Sequence, residues 1–417
     1  MKKELLARDG TVNWFRQRCL CLRKVEEEEV NTTTTTTTTE DEDEYKEPVM
    51  QTSGYELADR SEVGRLLPAY NYFDGRFSIG DSDSHTCVVH HDGIVYFWGG
   101  RNETNGKIHR FDLRTYTWMK PISSNLDKKD SRYYHGFTKQ ENDPIFWMFG
   151  GLDNQESKYY NDLIRVDGRT CQWNWEQFTE PTDGNSEWPS RRRGHVFLYR
   201  ESNHSLLLFG GCGDESYSDV WEFNISLRKW TKLATTGDEI VPRGYSSGIL
   251  MKKDNTDVLV IYGGDIGVDN QTLTNQLCIL NLSTLVWKTY DNSITPPLFG
   301  HAGTTCKISN DEMFIFGGCN DDYIPYSDSY IYNLKYNTWT LLEVENILPL
   351  NCSSIFIDEE RGIINLYGGY DEQRRTDTHI VIQVNPLYDF KIYRTFPKLY
   401  STLNRQIYTD ILIKSIE

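Results

Sequence analysis

The sequence predicts an all-β fold, a ring of six similar sheets. Three observations lead there. Six Gly-Gly pairs each close a short apolar run. The pairs recur at intervals of 51, 60, 53, 54 and 51 residues. A tryptophan follows most of them at a matching offset. A unit of about 50 residues repeated this often cannot bury its apolar faces alone and must stack on its neighbours.

The runs are IVYFWGG, IFWMFGG, LLLFGG, VLVIYGG, MFIFGG and IINLYGG, and the pairs are Gly99-Gly100, Gly150-Gly151, Gly210-Gly211, Gly263-Gly264, Gly317-Gly318 and Gly368-Gly369. Four to six consecutive apolar residues fit a strand buried on both faces. The glycines let the backbone turn where a side chain would clash. After each pair comes a second strand-like run, a turn and an aromatic residue. That aromatic is Trp118, Trp230, Trp287 or Trp339, with Trp173 or Trp175 in the second unit and Phe390 in the sixth. A flat indole in this place packs between adjacent sheets. Before the pairs lies another short strand. It opens with Arg132 to His135, Arg192 to His195 or Arg243 to Ser246, while His85 and His301 keep the histidine without the arginine.

These features resemble the kelch repeat along residues 82–393. The resemblance implies a six-bladed kelch β-propeller, each unit forming one four-stranded blade. Ring closure has two candidates. Phe390 can complete blade six from the C-terminal side, or residues 51–80 can add a strand to it; the reading favours N-terminal sequence. The expected organisation is a disordered low-complexity tail over 1–50, a propeller over 51–393 and a short helical segment over 394–417. The tail carries EEEEVNTTTTTTTTEDEDE over 26–44, too poor in apolar surface to order itself. A spacer is the plain reading of it.

Net charge is -17, and residues 51–417 hold -13 of it. A folded region this acidic argues against nucleic acid as a partner, because phosphate contacts need clustered positive charge. No window approaches eighteen consecutive apolar residues, so no membrane span is expected. The first residues lack the apolar stretch of a secretory signal. The nine cysteines are scattered without a CxxC pair. Both point to a reducing compartment, the cytoplasm or nucleus.

No enzyme chemistry stands out. The histidines at equivalent repeat positions lie in separate blades and read as structural. The others lack ligand spacing, so no metal is expected. GxxxxGK[ST] is absent, no serine reads as a nucleophile in a GxSxG elbow, and no cofactor is expected. What remains is binding. In kelch propellers one face is built from the residues after Gly-Gly and the residue after the first-strand arginine. The resemblance therefore assigns Arg101, Asn102, Leu152, Asp153, Cys212, Asp265, Cys319, Asn320, Tyr370 and Asp371 to that face, with Tyr133, Arg193 and Gly244, and Asp83 and Phe299 less securely aligned. Arg101 and Arg193 are the candidates for carboxylate contacts, where a planar guanidinium binds through two hydrogen bonds.

The segments VYFWGGRNETNGKIHRFDLRTYTWMKP and FGGLDNQESKYYNDLIRVD are similar to blades of kelch domain-containing protein 3-like proteins. That resemblance implies a substrate receptor of a cullin-RING ubiquitin ligase that grips C-terminal degrons. A C-terminal box would recruit elongin B/C and a cullin. Here Pro386-Leu387 matches such a box, but Lys391 stands where a cysteine belongs. Leu403, Ile407 and Ile411 match the apolar spacing of the cullin motif, but Asn404 replaces its proline. The alternative for 386–417 is the last strand of blade six and a capping helix. For the whole chain the alternative is a ligase-independent scaffold in cytoskeletal, trafficking or chromatin-associated complexes.

Overall fold

The structure, a computed structural model, is an all-β six-bladed propeller. It describes residues 79–383 except 81, 91, 102–106, 123–131, 141–142, 154–156, 170–172, 183–186, 268–272, 291–304, 321, 343–348, 360 and 378, together with strands Arg18–Lys24, Met50–Thr52 and Tyr55–Ala58.

Blade one shows the pattern: Thr86–Val89, Ile94–Trp98, Ile108–Asp112 and Thr117–Ile122 pair antiparallel in chain order. Blades two to five repeat it, with second strands Ile145–Phe149, Ser205–Phe209, Thr256–Tyr262 and Glu312–Phe316. These are the apolar runs, and their side chains are buried on both faces because each blade is sandwiched between two others.

Blade six contributes Ser354–Asp358, Ile363–Tyr367 and His379–Gln383. Its outer place is taken by Arg18–Lys24, which runs parallel to His379–Gln383, with Tyr55–Ala58 beyond it. Closure thus draws on N-terminal sequence, but its first strand comes from 18–24, a stretch that composition had assigned to the tail. The run Cys19-Leu20-Cys21-Leu22 is the local reason, being apolar enough for a strand. Phe390 and the segment 394–417 lie outside the described residues.

The core is six cores, one per seam between blades. Each tryptophan packs on the aromatic that ends the second strand of the preceding blade. The pairs are Trp175 on Trp98, Trp230 on Phe149, Trp287 on Phe209, Trp339 on Tyr262 and Trp118 on Tyr367, with ring centroids 4.9 to 5.5 Å apart. In blade two the slot falls to Trp175, opposite Val166; Trp173 stacks instead on Phe146. The seam between blades five and six has no such pair among the described residues and is filled mainly by Phe316, Leu366, Ile380 and Ile382.

All twelve glycines of the six pairs have positive φ. The second glycine of five of the pairs donates its N–H to the next blade: Gly100 to Arg132, Gly151 to Arg192, Gly211 to Arg243, Gly318 to Leu350 and Gly369 to Ser82, at 2.8 to 3.2 Å. The last of these joins blade six to blade one and closes the ring. A Cβ on Gly99 would lie 2.2 Å from the Arg132 carbonyl oxygen, so the pair is required by this approach as well as by its turn.

The described repeat histidines, His85, His135 and His195, are buried in the seams. Thr86 Oγ1 lies 2.8 Å from His135 Nε2. Burial is the main cause that lowers the pKa of His85 and His135 to about 3, and of His379 to about 4. Unfolded, an imidazole takes up a proton below about pH 6.5. Between that pH and the folded values the unfolded chain binds more protons, so stability falls as pH falls. The melting temperature is expected to drop from pH 7 to pH 5, with about 1–2 kcal/mol lost for each of these histidines. Calorimetry of a His135→Gln variant is expected to show a shallower fall.

Candidate functional site

The strongest cluster of aromatic and cationic side chains lies where the inner strands begin. There a chain of backbone hydrogen bonds passes from blade to blade. Ser84 N donates to Cys352 O, Tyr134 N to Ser84 O, Gly194 N to Tyr134 O and Tyr245 N to Gly194 O. All five residues have positive φ. For the four that are not glycine this conformation is strained, and the chain of hydrogen bonds holds it. The blade-five counterpart, Gly300, lies outside the described residues.

Two consequences follow. Gly194 has no side chain, so Tyr134 and Tyr245 meet in front of it, edge to face, with centroids 4.9 Å apart. A Cβ at 194 would come within 2.7 Å of the Tyr245 ring. Burial, and the nearby thiols of Cys352 and Cys212, hold both phenols well above their ordinary pKa. They face the site as neutral hydroxyls.

Arg193 extends over this floor. Its backbone is fixed by reciprocal hydrogen bonds with Cys212, at 2.8 and 2.9 Å. Its guanidinium carbon lies 5.3 Å from the Tyr159 ring centre, 5.7 Å from Tyr245 and 5.9 Å from Tyr134. Its Nε is buried without a hydrogen-bond partner. No described carboxylate pairs with it. Its sequence neighbour Arg192 is the contrast: fully buried, it holds Asp219 at 2.6 and 3.1 Å and stacks on Tyr217. Arg132 does the same with Asp162 and Tyr160 in blade two. Of these two neighbours, Arg192 is structural and Arg193 lies over the tyrosine rings.

Arg101 is exposed on the same rim, with its guanidinium 5.3 Å from the Tyr133 ring centre. Asp83 nearby is buried and held by Arg375 at 3.2 Å. Other expected face residues serve their own loops. Asn320 Oδ1 accepts hydrogen bonds from the N–H groups of Asp322 and Ile324. Asp265 Oδ1 accepts one from Gly267 N, and the Asp265 backbone pairs with Gly244. Tyr370 donates its hydroxyl to Glu372 O. Asn102, Phe299, Leu387, Leu403, Ile407 and Ile411 lie outside the described residues. Tyr134, Tyr159 and Tyr245 were missed from sequence. The signal for two of them was present: they occupy the position before the repeat His or Ser, next to the residue that was chosen.

Among the described residues no group of three His, Cys, Asp or Glu side chains is placed to hold a metal. No described helix is long and apolar enough to cross a membrane.

The chain matches the KLHDC2/KLHL20/DRC7 Kelch-repeats domain over residues 78–255 and 247–386. It belongs to the kelch-repeat family. Among kelch relatives, human Kelch domain-containing protein 1 is 25% identical over 344 residues, covering 72% of this chain and 79% of that protein. The mouse protein is 26% identical over 308 residues, covering 64% and 70%. Host cell factor homolog hcf-1 of Caenorhabditis elegans is 27% identical over 251 residues. That match covers 56% of this chain, which spans about a third (31%) of the relative's length. The solved structure of YjhT superposes with a TM-score of 0.56 at 15% identity, over 76% of this chain and 97% of that one, and establishes the fold alone.

Proposed function

We propose that this kelch propeller binds a partner polypeptide by its C-terminal carboxylate at Arg193, and does so as a substrate receptor of an elongin/cullin ubiquitin ligase. One observation carries the first part: a half-buried guanidinium over three tyrosine rings, without a carboxylate partner among the described residues. A buried cation left uncompensated in the free protein is costly, and an incoming carboxylate compensates it with two charge-assisted hydrogen bonds. The tyrosines add flat contact area and keep water from the pair. The ligase assignment leans on the match to the KLHDC2-type domain, on the resemblance of the first two blades to kelch domain-containing protein 3-like proteins, and on Pro386-Leu387 with Leu403, Ile407 and Ile411.

A random heptapeptide library with free C-terminal carboxylates, compared with the same library amidated, tests the first part. The carboxylate library is expected to yield binders that lose about 30- to 100-fold in affinity with Arg193→Ala. That variant is expected to melt close to the parent, since removing this cation orphans no carboxylate among the described residues. Equal recovery from the amidated library would overturn the reading. The ligase part is tested by capture of elongin B/C and a cullin, lost in a Leu387→Ala/Leu403→Ala variant that still melts cooperatively. Failure of capture by the parent chain leaves the propeller a ligase-independent scaffold.

A further inference from the structure

Blade five builds a receptacle that this chain fills with its own arginine elsewhere. In blade two a Tyr-x-Asp sequence, Tyr160 to Asp162, holds the Arg132 guanidinium. The carboxylate takes it at 2.6 and 2.8 Å, the ring lies 3.7 Å beneath it, and the Gly150 carbonyl accepts at 3.2 Å. Blade three repeats this with Tyr217, Asp219, Gly210 and Arg192. Blade five has the same frame. Tyr326-Ser327-Asp328 follows Gly317-Gly318, Gly317 N donates to Asp328 O, and Tyr326 N donates to Gly318 O. The equivalent bonds in blade three run from Gly210 N to Asp219 O and from Tyr217 N to Gly211 O.

The arginine is missing. Aligned on the repeat histidines, Leu298 before His301 stands where Arg192 stands before His195. Leucine cannot supply the five donors of a guanidinium. The Asp328 carboxylate has no hydrogen bond or ion pair among the described residues and is half-buried. Burial raises its pKa, in contrast to Asp219, which Arg192 holds below the ordinary value despite burial.

We propose that the Tyr326–Asp328 cradle of blade five is a binding site for an arginine side chain supplied by a ligand. The occupant is identified by blades two and three, where the same three groups, carboxylate, phenol ring and glycine carbonyl, close on a guanidinium. Lysine is the poorer fit, since an ammonium neither stacks flat on the ring nor meets both carboxylate oxygens at once. In a single ligand carrying both features, this site and Arg193 lie two blades apart on one face. That combination rests on the peptide-binding reading above, and the two sites can fail separately.

The test uses the full chain and two probes. The first is N-acetyl-arginine methylamide against its citrulline counterpart, which has the same shape without the charge. At 20 mM, the arginine amide is expected to raise the melting temperature of the parent above that with the citrulline amide. Asp328→Asn and Leu298→Arg are expected to remove the difference, the second because it restores the arginine that blades two and three carry at this position of the repeat. Leu298→Arg is also expected to melt higher than the parent at pH 7. The second probe is the random peptide library. Its binders are expected to be enriched in arginine at one position, and to lose about tenfold in affinity with Asp328→Asn. Arg193→Ala is expected to leave the arginine-amide effect intact. The proposal is overturned if arginine and citrulline amides act alike on the parent, or if Leu298→Arg leaves their difference unchanged.

Discussion

Arg192→Ala is expected to destabilise the propeller by about 3–5 kcal/mol, the usual cost of breaking a buried ion pair from one side. Arg192 is fully buried; its loss leaves the carboxylate of Asp219, itself largely buried, without a counter-charge. It also frees the Gly210 carbonyl, which accepts from Arg192 Nη1 at 3.0 Å. Arg243→Ala is the comparison. Arg243 occupies the same place in blade four, but its partner is Gln276, at 2.6 Å. Removing it strands a neutral amide and no charge, so about 1–3 kcal/mol is expected. Chemical denaturation of both variants checks the order. Adding Asp219→Ala to Arg192→Ala is expected to restore part of the loss, because the penalty lies in the orphaned charge. Equal losses for Arg192→Ala and Arg243→Ala would show that packing, and not charge, sets the cost.

Gly99→Ala is expected to be comparably severe, above about 3 kcal/mol, and Gly93→Ala mild, about 1 kcal/mol. Both glycines are left-handed, with φ of +67° and +78°. The conformational cost is therefore shared. The neighbours differ. A Cβ at 99 would meet the Arg132 carbonyl oxygen at 2.2 Å and His135 Cε1 at 2.5 Å, so the seam between blades one and two must open. A Cβ at 93 meets only the Arg114 side chain, at 3.6 Å. Thermal melts of the two variants separate these contributions.

The architecture was legible because its cause is repeated. Apolar runs that end in Gly-Gly mark strands buried on both faces, and six copies average out the noise of any one. The seam partners were not legible. Trp118 packs on Tyr367, 249 positions away in sequence, and no spacing rule reaches that far. Of the candidate site, the positions on the rim were readable and the choice among them was not. Asn320 and Asp265 look like ligand-facing polar residues, yet they cap their own loops. Arg193 was told from Arg192 by its place after the first-strand arginine of the repeat, not by composition. Which of the two meets an aspartate depends on strand register, and register is a property of the folded sheet.

The bond from Gly369 N to Ser82 O has a consequence for how the protein is made. The seam it closes buries Phe97, Phe111, Tyr116 and Trp118 of blade one against Phe356, Ile363 and Tyr367 of blade six. Those partners are synthesised roughly 240–270 residues later. At about 5–20 residues per second this is an interval of roughly 12–54 s. Throughout it, blade one stands as a nascent sheet with an uncovered aromatic face at the ribosome. Hsp70-type chaperones that bind aromatic-rich extended segments are expected to crosslink to this blade in stalled chains ending near residue 330, and to release once residue 383 has cleared the exit tunnel.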